Sequence, residues 1–534
     1  MLWRLLLCAL AATAGAQTRT VEVDAANVIG TIRSLQGVND GPAPLLPGLA
    51  DVSAQYRDLR INLVRTHDFF GPGDIDAQWP DPDSISKRVK ADGSRSIFPN
   101  WSADPEQEAS YNFGPTDQIM KAIVNCGAEV YFRVGRSWSA DPAPPPDFDK
   151  YARIVRHVAM HYNRGWAHGF QYKIRSWEFW NEPDLKESWS PGNVREFWSG
   201  TPEQFYALYE KVARELKAYD PTLQVGAPGK AAGSVAGPYR EGLIAYCAAH
   251  KVPLDFYSWH HYVPNSADPF DFVRIAQDLR GLLDGQGLRQ TRIHVTEWNI
   301  GFESSPLRKA PAMLAAFCAA TQIYLQDSPM DRSLFYRGDS SSAGLFDKNG
   351  AYRKPAYAYK ALGAMLDTPQ RLAVKGADTL GFAVLAGRSA DGRTVQVLIS
   401  NYEIPQSYRP PRPPSHVFSS LERRKDIQYR DNRGYALKVK NLPWAKGEST
   451  VKRYRITSSQ DWAETSSNDG SRLEPLNRDG LSGQTSDKSP SPIGWERAGV
   501  RVPGEAESSG QAGALEMCNP LPPPGVELIV IRHP

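Results

Sequence analysis

Residues 174–185 read IRSWEFWNEPDL. Ile174, Trp177, Phe179 and Trp180 are large and apolar, as a buried strand needs, and the run breaks at Asn181-Glu182-Pro183. Proline has no N–H to give to a strand ladder, so the strand stops there. Glu182 is left at the strand's carboxyl end, next to an amide donor and beneath indole rings. That setting favours a protonated carboxyl near neutral pH, the state a general acid requires. Residues 291–300, TRIHVTEWNI, echo the arrangement. Ile293 and Val295 alternate with polar neighbours, and Glu297 follows where the strand should end. The two glutamates are 115 positions apart (297 − 182), so the fold must bring them together before they can act as a pair.

The surrounding pattern supplies such a fold. Strand-like runs at 61–67, 128–135, 174–181, 223–228, 254–262, 291–297 and 333–339 alternate with helical ones at 114–127, 147–163, 201–221, 237–250, 268–283, 310–326 and 354–366. The best helix is 201–221. Thr201 caps it, Pro202 takes its first position and Gln204 completes a capping box. Phe205, Leu208, Tyr209, Val212 and Leu216 form its apolar stripe. Counting from a short strand at Leu35 gives eight strands, and alternation of this kind implies a parallel sheet. The fold class is therefore α/β, with a (β/α)8 TIM barrel over residues 34–368. Functional groups of such barrels collect at strand carboxyl ends. Glu182 ends the fourth strand and Glu297 the seventh. Paired carboxylates on one rim are what glycoside hydrolysis uses.

After residue 370 the pattern changes to short alternating strands with turns, such as TVQVLISNYE and GVELIVIRHP. These predict an accessory antiparallel β-sandwich over 369–534, joined by an N-terminal strand within 17–33. The Pro-rich stretch 404–416 and the polar stretch 458–512 read as long exposed loops. Residues 1–16, with Arg4, an apolar run and Ala14-Gly15-Ala16, read as a secretory signal peptide cleaved near Ala16, so the protein is expected to be secreted or periplasmic. No other segment approaches membrane-spanning length. The 62 basic and 59 acidic residues among 534 leave a net charge of +3, without a nucleic-acid footprint. No Gly-rich phosphate loop opens a helix. Cys126, Cys247 and Cys318 sit in apolar helical patterns and read as buried thiols. Neither metal nor cofactor is called for.

EFWNEP and VTEWN resemble the acid/base and nucleophile motifs of retaining (β/α)8 glycosidases. With VRTHDFF after the second strand, FYSWHHY on the sixth and GLFDKNGAYRKPAYAYKAL closing the barrel, the chain resembles glycoside hydrolase family 39, the family of β-xylosidases and α-L-iduronidases. The resemblance implies Glu182 as acid/base and Glu297 as nucleophile. It further implies that Asn181 bonds the sugar 2-hydroxyl, that Tyr262 bonds the nucleophile, and that His67 and His260 bind ring hydroxyls. His261 should face away from the site, and Glu178 and His294 are read as structural. Trp138 and Trp298 are either pocket walls or core. The family's xylosidases carry an aromatic near the end of strand eight. Here the stretch is LFYRGD, where Tyr336 is the candidate replacement and Arg337 pairs either a substrate carboxylate or Asp339.

The expected activity is a secreted, retaining, exo-acting β-xylosidase on an oligo- or polysaccharide. The alternatives are an α-L-arabinosidase, a uronosidase, an endo-acting hydrolase, or a catalytically silent carbohydrate-binding protein.

Overall fold

The computed structural model describes residues 19–44, 47–77, 95–138, 140–185, 197–262, 268–300, 310–405, 434–445, 449–459, 461–466 and 512–533. The leader read in the first sixteen residues lies outside this set, as does most of the expected loop 404–416.

Eight parallel strands close a barrel in the order β2 (Gly37–Asn39), β3 (Leu63–Thr66), β4 (Glu129–Val134), β5 (Ser176–Phe179), β6 (Gln224–Lys230), β7 (Phe256–Tyr262), β8 (Arg292–Asn299) and β9 (Arg332–Phe335). Closure is made where Gly37 pairs with Leu334. The period-two pattern explains both faces. On β4, Val130, Phe132 and Val134 join the core beneath the helices, and Phe132 stacks on Trp177 of β5 at 4.8 Å. The intervening Tyr131 turns into the lumen, where it meets Leu63, Phe256 and Leu334 in an apolar floor. Gly226 makes room for that floor, because a Cβ there would lie 2.2 Å from the Phe256 carbonyl oxygen.

Two residues further along each strand the inward positions become polar: Arg65 after Leu63, Arg133 after Tyr131, and Ser258, His260 and Tyr262 after Phe256. The lumen thus changes from hydrocarbon to charge toward its carboxyl-terminal mouth. The helices hold this ring in place. Helix Pro202–Tyr219 carries the anticipated capping box and buries Phe205, Leu208, Tyr209, Val212 and Leu216. Ser53–Leu59 is a short helix that the sequence pattern did not reveal.

The second unit is one nine-stranded sheet, ordered β15-β14-β17-β12-β11-β10-β1-β13-β16. Its new strands are β1 (Arg19–Thr31), β10 (Gln370–Lys375), β11 (Phe382–Arg388), β12 (Thr394–Asn401), β13 (Gly434–Ala445), β14 (Thr450–Ile456), β15 (Ala463–Ser466), β16 (Ala512–Pro520) and β17 (Gly525–Arg532). All pairings are antiparallel except β1 with β13. The sheet curls over itself to make the sandwich-like core. The Tyr435 hydroxyl of β13 donates to Glu527 of β17 at 2.5 Å, across the four strands that separate them in the order. The N-terminal strand is therefore interior to this sheet. Strands β10, β15 and β16 were not foreseen, and Ala463–Ser466 lies within the stretch read as a loop.

Helix Pro311–Leu325 sits between barrel and sheet and is buried on nearly every side. The Ser400 hydroxyl donates to the Ala316 carbonyl at 2.7 Å, and Phe317 packs on Tyr402. That double burial explains a helix sequence apolar all round. Among the described residues no helix is long and apolar enough to cross a membrane.

Candidate active site

The mouth of the barrel is organised around Arg65, which is fully buried at the end of β3. Its Nε donates to Glu178 at 2.5 Å, Nη1 to Glu297 at 2.7 Å and to Asn39 at 3.0 Å, and Nη2 to Asn181 at 2.7 Å. One guanidinium thus fixes residues from strands β2, β5 and β8 and from the turn after β5. Its planar fork of five donors suits this better than a lysine would. Two buried carboxylates beside it keep Arg65 charged.

Glu297 lies near the end of β8 and is 5% exposed. Besides the Arg65 bond at Oε1, it accepts the Tyr262 hydroxyl at Oε2, 2.7 Å away. Burial pushes its carboxyl above the usual glutamate range, and Arg65 and Tyr262 oppose that push by bonding the ionised form.

Glu182 is built differently. The chain leaves β5 through Trp180 at φ 72° and Glu182 at φ 44°, both left-handed. A non-glycine residue in that region costs about 1 kcal/mol or more. The turn is held by the Trp180 amide on Val134 O at 2.6 Å, the Glu182 amide on Gly229 O at 2.8 Å, and the Trp180 indole N–H on Phe197 O at 2.8 Å. Below it Asp184 is locked by Lys230 at 2.6 Å and by the Ala231 amide at 2.9 Å. Burial, then the negative charge of Asp184, raises the Glu182 carboxyl to about 8.

His260 Nδ1 shares a 2.8 Å hydrogen bond with Glu182 Oε1 and lies 3.7 Å from Glu297 Oε2. Burial lowers the His260 imidazole to about 4, so the contact with Glu182 joins two neutral groups near pH 7. One oxygen of Glu182, one of Glu297 and a His260 nitrogen all lie within 4.8 Å of one another. At that separation two carboxylates repel by at least about 3 kcal/mol at an effective dielectric near 20. A single proton is accommodated far more easily than none. The asymmetry of partners decides where it goes: Glu297 faces two donors, and Glu182 faces Asp184.

The remaining expected residues divide. Asn181 is 1% exposed; its Oδ1 accepts from Arg65 and its Nδ2 has no partner among the described residues. His67 Nε2 lies 3.3 Å from Asp68 Oδ1 and 3.5 Å from Glu297 Oε1, and its Nδ1 is unpartnered in the same sense, as is His260 Nε2. Tyr336 donates to Asp68 Oδ2 at 3.2 Å. Trp138 stands on the loop after β4, 37% exposed, with its backbone N–H on Asp68 Oδ1 at 2.9 Å.

Trp298 is not a pocket wall. It is fully buried, donates to Ser333 Oγ at 2.9 Å and packs edge-on against Phe272 and Phe335, because its position on β8 faces the helices. His261 likewise turns outward onto Phe272, and His294 lies in the lumen against Tyr131 and Phe256. Arg337 is held between Asp339, at 2.7 Å, and Asp40, at 3.2 Å. The Asp339 pairing was one of two readings; Asp40 was not anticipated. Sequence reasoning also missed Arg65, Asp68, Asp184 and Lys230. The available signal for Arg65 was a charged residue inside an apolar strand, two positions before His67 and so on the same face.

A carboxylate pair at the carboxyl-terminal mouth of an eight-stranded parallel barrel defines the glycosidase class of this fold, and comparison with known proteins names the family. Residues 96–337 match the family model described as glycosyl hydrolases family 39. A β-xylosidase of Geobacillus stearothermophilus is 26% identical over 255 residues, 42% of this chain and 48% of that protein. The chain spans about half the length of the curated relatives it matches. The crystal structure of a glucosidase from Croceicoccus marinus is 31% identical and covers 97% of this chain and 100% of its own, with a TM-score of 0.75. The glycoside hydrolase family 39 enzyme of Xanthomonas axonopodis pv. citri shares the fold at 17% identity, covering 97% and 98%, with a TM-score of 0.62. The chain belongs to glycoside hydrolase family 39.

Two outcomes follow from the site. The pH profile of kcat/KM should be bell-shaped. Activity rises as Glu297 ionises, at a pH above the ordinary glutamate range, and falls as Glu182 loses its proton near pH 8. In Glu182→Ala, assayed with an activated aryl leaving group, the alkaline limb should disappear. Arg65→Met should strand two buried carboxylates and cost about 3–5 kcal/mol of stability, read by denaturant unfolding.

Proposed function

We propose that this protein is a retaining glycoside hydrolase that removes a terminal, neutral β-linked sugar, with β-xylosides as its substrates. The observation that carries this reading is the approach of Glu182 and Glu297 oxygens to within 4.8 Å. Retaining enzymes hold their carboxyl groups about 5–5.5 Å apart, whereas inverting ones leave about 6.5–9.5 Å for a water between them.

Glu182 gives its proton to the leaving oxygen while Glu297 attacks the anomeric carbon, and a glycosyl ester forms. Esterification removes the negative charge of Glu297 beside Glu182. The Glu182 carboxyl, now a carboxylate with less repulsion around it, accepts a proton from the incoming water. Water then takes the sugar from Glu297, and both groups return to their starting states. The unpartnered Asn181 Nδ2 is suited to the sugar 2-hydroxyl, and His67 Nδ1 and His260 Nε2 to further ring hydroxyls. These three buried atoms are available to hydrogen-bond the hydroxyls of a sugar that enters.

Two observations weigh against the alternatives. Arg337 is already neutralised by two carboxylates, so a uronate gains no free cation there. Glu182 and Glu297 are held in environments that separate their protonation states, which a silent binding protein has no use for. The relatives supply both the xylose reading and a second one. The Geobacillus stearothermophilus relative is a β-xylosidase, whereas the Croceicoccus marinus structure, matched over nearly the whole chain, is a glucosidase. The two sugars differ by one hydroxymethyl group. We also propose that the first sixteen residues direct export, which amino-terminal sequencing of the mature protein would test.

The reading is tested with p-nitrophenyl glycosides on the full chain and on Glu297→Ala. The β-D-xyloside should give the highest kcat/KM, the β-D-glucoside should be next, and the β-D-glucuronide should be inert. Glu297→Ala should lower kcat/KM by about a thousandfold or more. A best substrate unaffected by Glu297→Ala would remove Glu297 from the reaction.

A further inference from the structure

One group of polar side chains beside Glu297 has no part in the proton transfers. Asp40 follows β2 and is fully buried. Its Oδ1 has no hydrogen-bond partner among the described residues, and its Oδ2 has only the ion-pair contact with Arg337 Nε at 3.2 Å. Arg337 Nη2 lies 2.7 Å from Asp339, and neither Nε nor Nη2 is aligned for a hydrogen bond among the described residues, so the guanidinium does not satisfy Asp40. A buried acceptor left this way is costly, and proteins seldom keep one without a use for it.

The position of this group suggests the use. Tyr336, next to Arg337, donates to Asp68 Oδ2 at 3.2 Å. Asp68 Oδ1 reaches His67 at 3.3 Å, and His67 reaches Glu297 at 3.5 Å. Asp40 is also close enough to Glu297 for their charges to repel. The group therefore flanks the nucleophile on the side of strands β2, β3 and β9, whereas Glu182 stands over strand β5 on the other side of Glu297. A sugar whose anomeric carbon meets Glu297 and whose leaving oxygen meets Glu182 turns its remaining ring edge toward Asp40.

We infer that Asp40 is a specificity-determining residue. Its carboxyl binds a C3 or C4 hydroxyl of a neutral glycone, and the surplus of carboxylates around Arg337 rejects a glycone that carries its own. Both oxygens of the Asp40 carboxyl can take a hydrogen bond from the sugar. The inference rests on the glycosidase reading above but names a residue and a part of the sugar that the double displacement does not require.

Binding calorimetry on the full chain tests it without turnover. The probe is the imino analogue of xylose, in which NH replaces the ring oxygen, together with its analogues lacking the hydroxyl at C3 or at C4. The wild-type protein should bind the parent about 10- to 100-fold more tightly than one of the two deoxy analogues. In Asp40→Ala that ratio should fall to near one, since the variant loses affinity for the two ligands that keep the bonded hydroxyl and not for the one that lacks it. Asp40→Asn, which keeps the side-chain shape, should narrow the ratio and serves if the alanine variant does not fold.

A ratio unchanged in the variants would overturn the inference, because a merely structural Asp40 would weaken all three ligands together. So would equal binding of the three by wild type, or binding of none. The parent reading is judged separately, by whether a 2-deoxy-2-fluoro glycoside labels Glu297 covalently.

Discussion

A guanidinium with no exposed surface holds the carboxyl-terminal mouth of this barrel together. Arg65 bonds Glu178, Glu297, Asn39 and Asn181, and so ties the first, fourth and seventh barrel strands to its own. Burying such a charge is strongly unfavourable unless every direction around it is filled by an acceptor. The arrangement is therefore all or none. Glu178, which takes no part in the proposed chemistry, is needed as the second counter-charge. Asn181 must offer its oxygen to Arg65, which leaves its NH2 group turned away from the cation. A structural requirement thereby fixes both the ionisation of the nucleophile candidate and the orientation of the amide beside it.

The acid candidate is set against this background by opposite means. Among the described residues it has no Lys or Arg in bonding contact. It stands on a turn with two left-handed residues, over a locked Asp184–Lys230 pair, and its nearest partner is an imidazole that burial keeps neutral. Two glutamates of the same chemical type thus acquire different protonation states from differences in burial and neighbours alone. The apolar floor formed by Leu63, Tyr131, Phe256 and Leu334 closes the lumen beneath them. The curled second sheet acts at a distance, by covering the outer side of helix Pro311–Leu325, which in turn backs strand β8.

Much of this was legible in the sequence where one physical rule dominates. Apolar runs separated by helical patterns marked the barrel strands, the Thr201–Gln204 capping box marked the start of a helix, and Pro183 marked the end of β5. Both glutamates fell at strand ends for that reason. What failed was information that only closure supplies. Trp298 neighbours Glu297 in sequence, but the alternation of a strand sends its indole outward to Phe272 and Phe335. Arg65 is one charged residue in an apolar run, and nothing local says that its four acceptors come from positions 39, 178, 181 and 297. Strand β10 and strand β16 lack a clear apolar alternation, and each is a strand because a neighbour in the sheet pairs with it. Asp40 shows the same limit, since its pairing with Arg337 joins the first strand to the last.

If Glu182 and Glu297 act as acid and nucleophile in a double displacement, the stereochemistry of the first product reports on it most directly. Proton NMR of an aryl β-xyloside digest, recorded before the released sugar mutarotates, distinguishes the two anomers. With the two glutamates in these roles, the β-anomer appears first and the α-anomer grows in later. Initial release of the α-anomer would mean a single displacement by water, and would contradict the role assigned to Glu297.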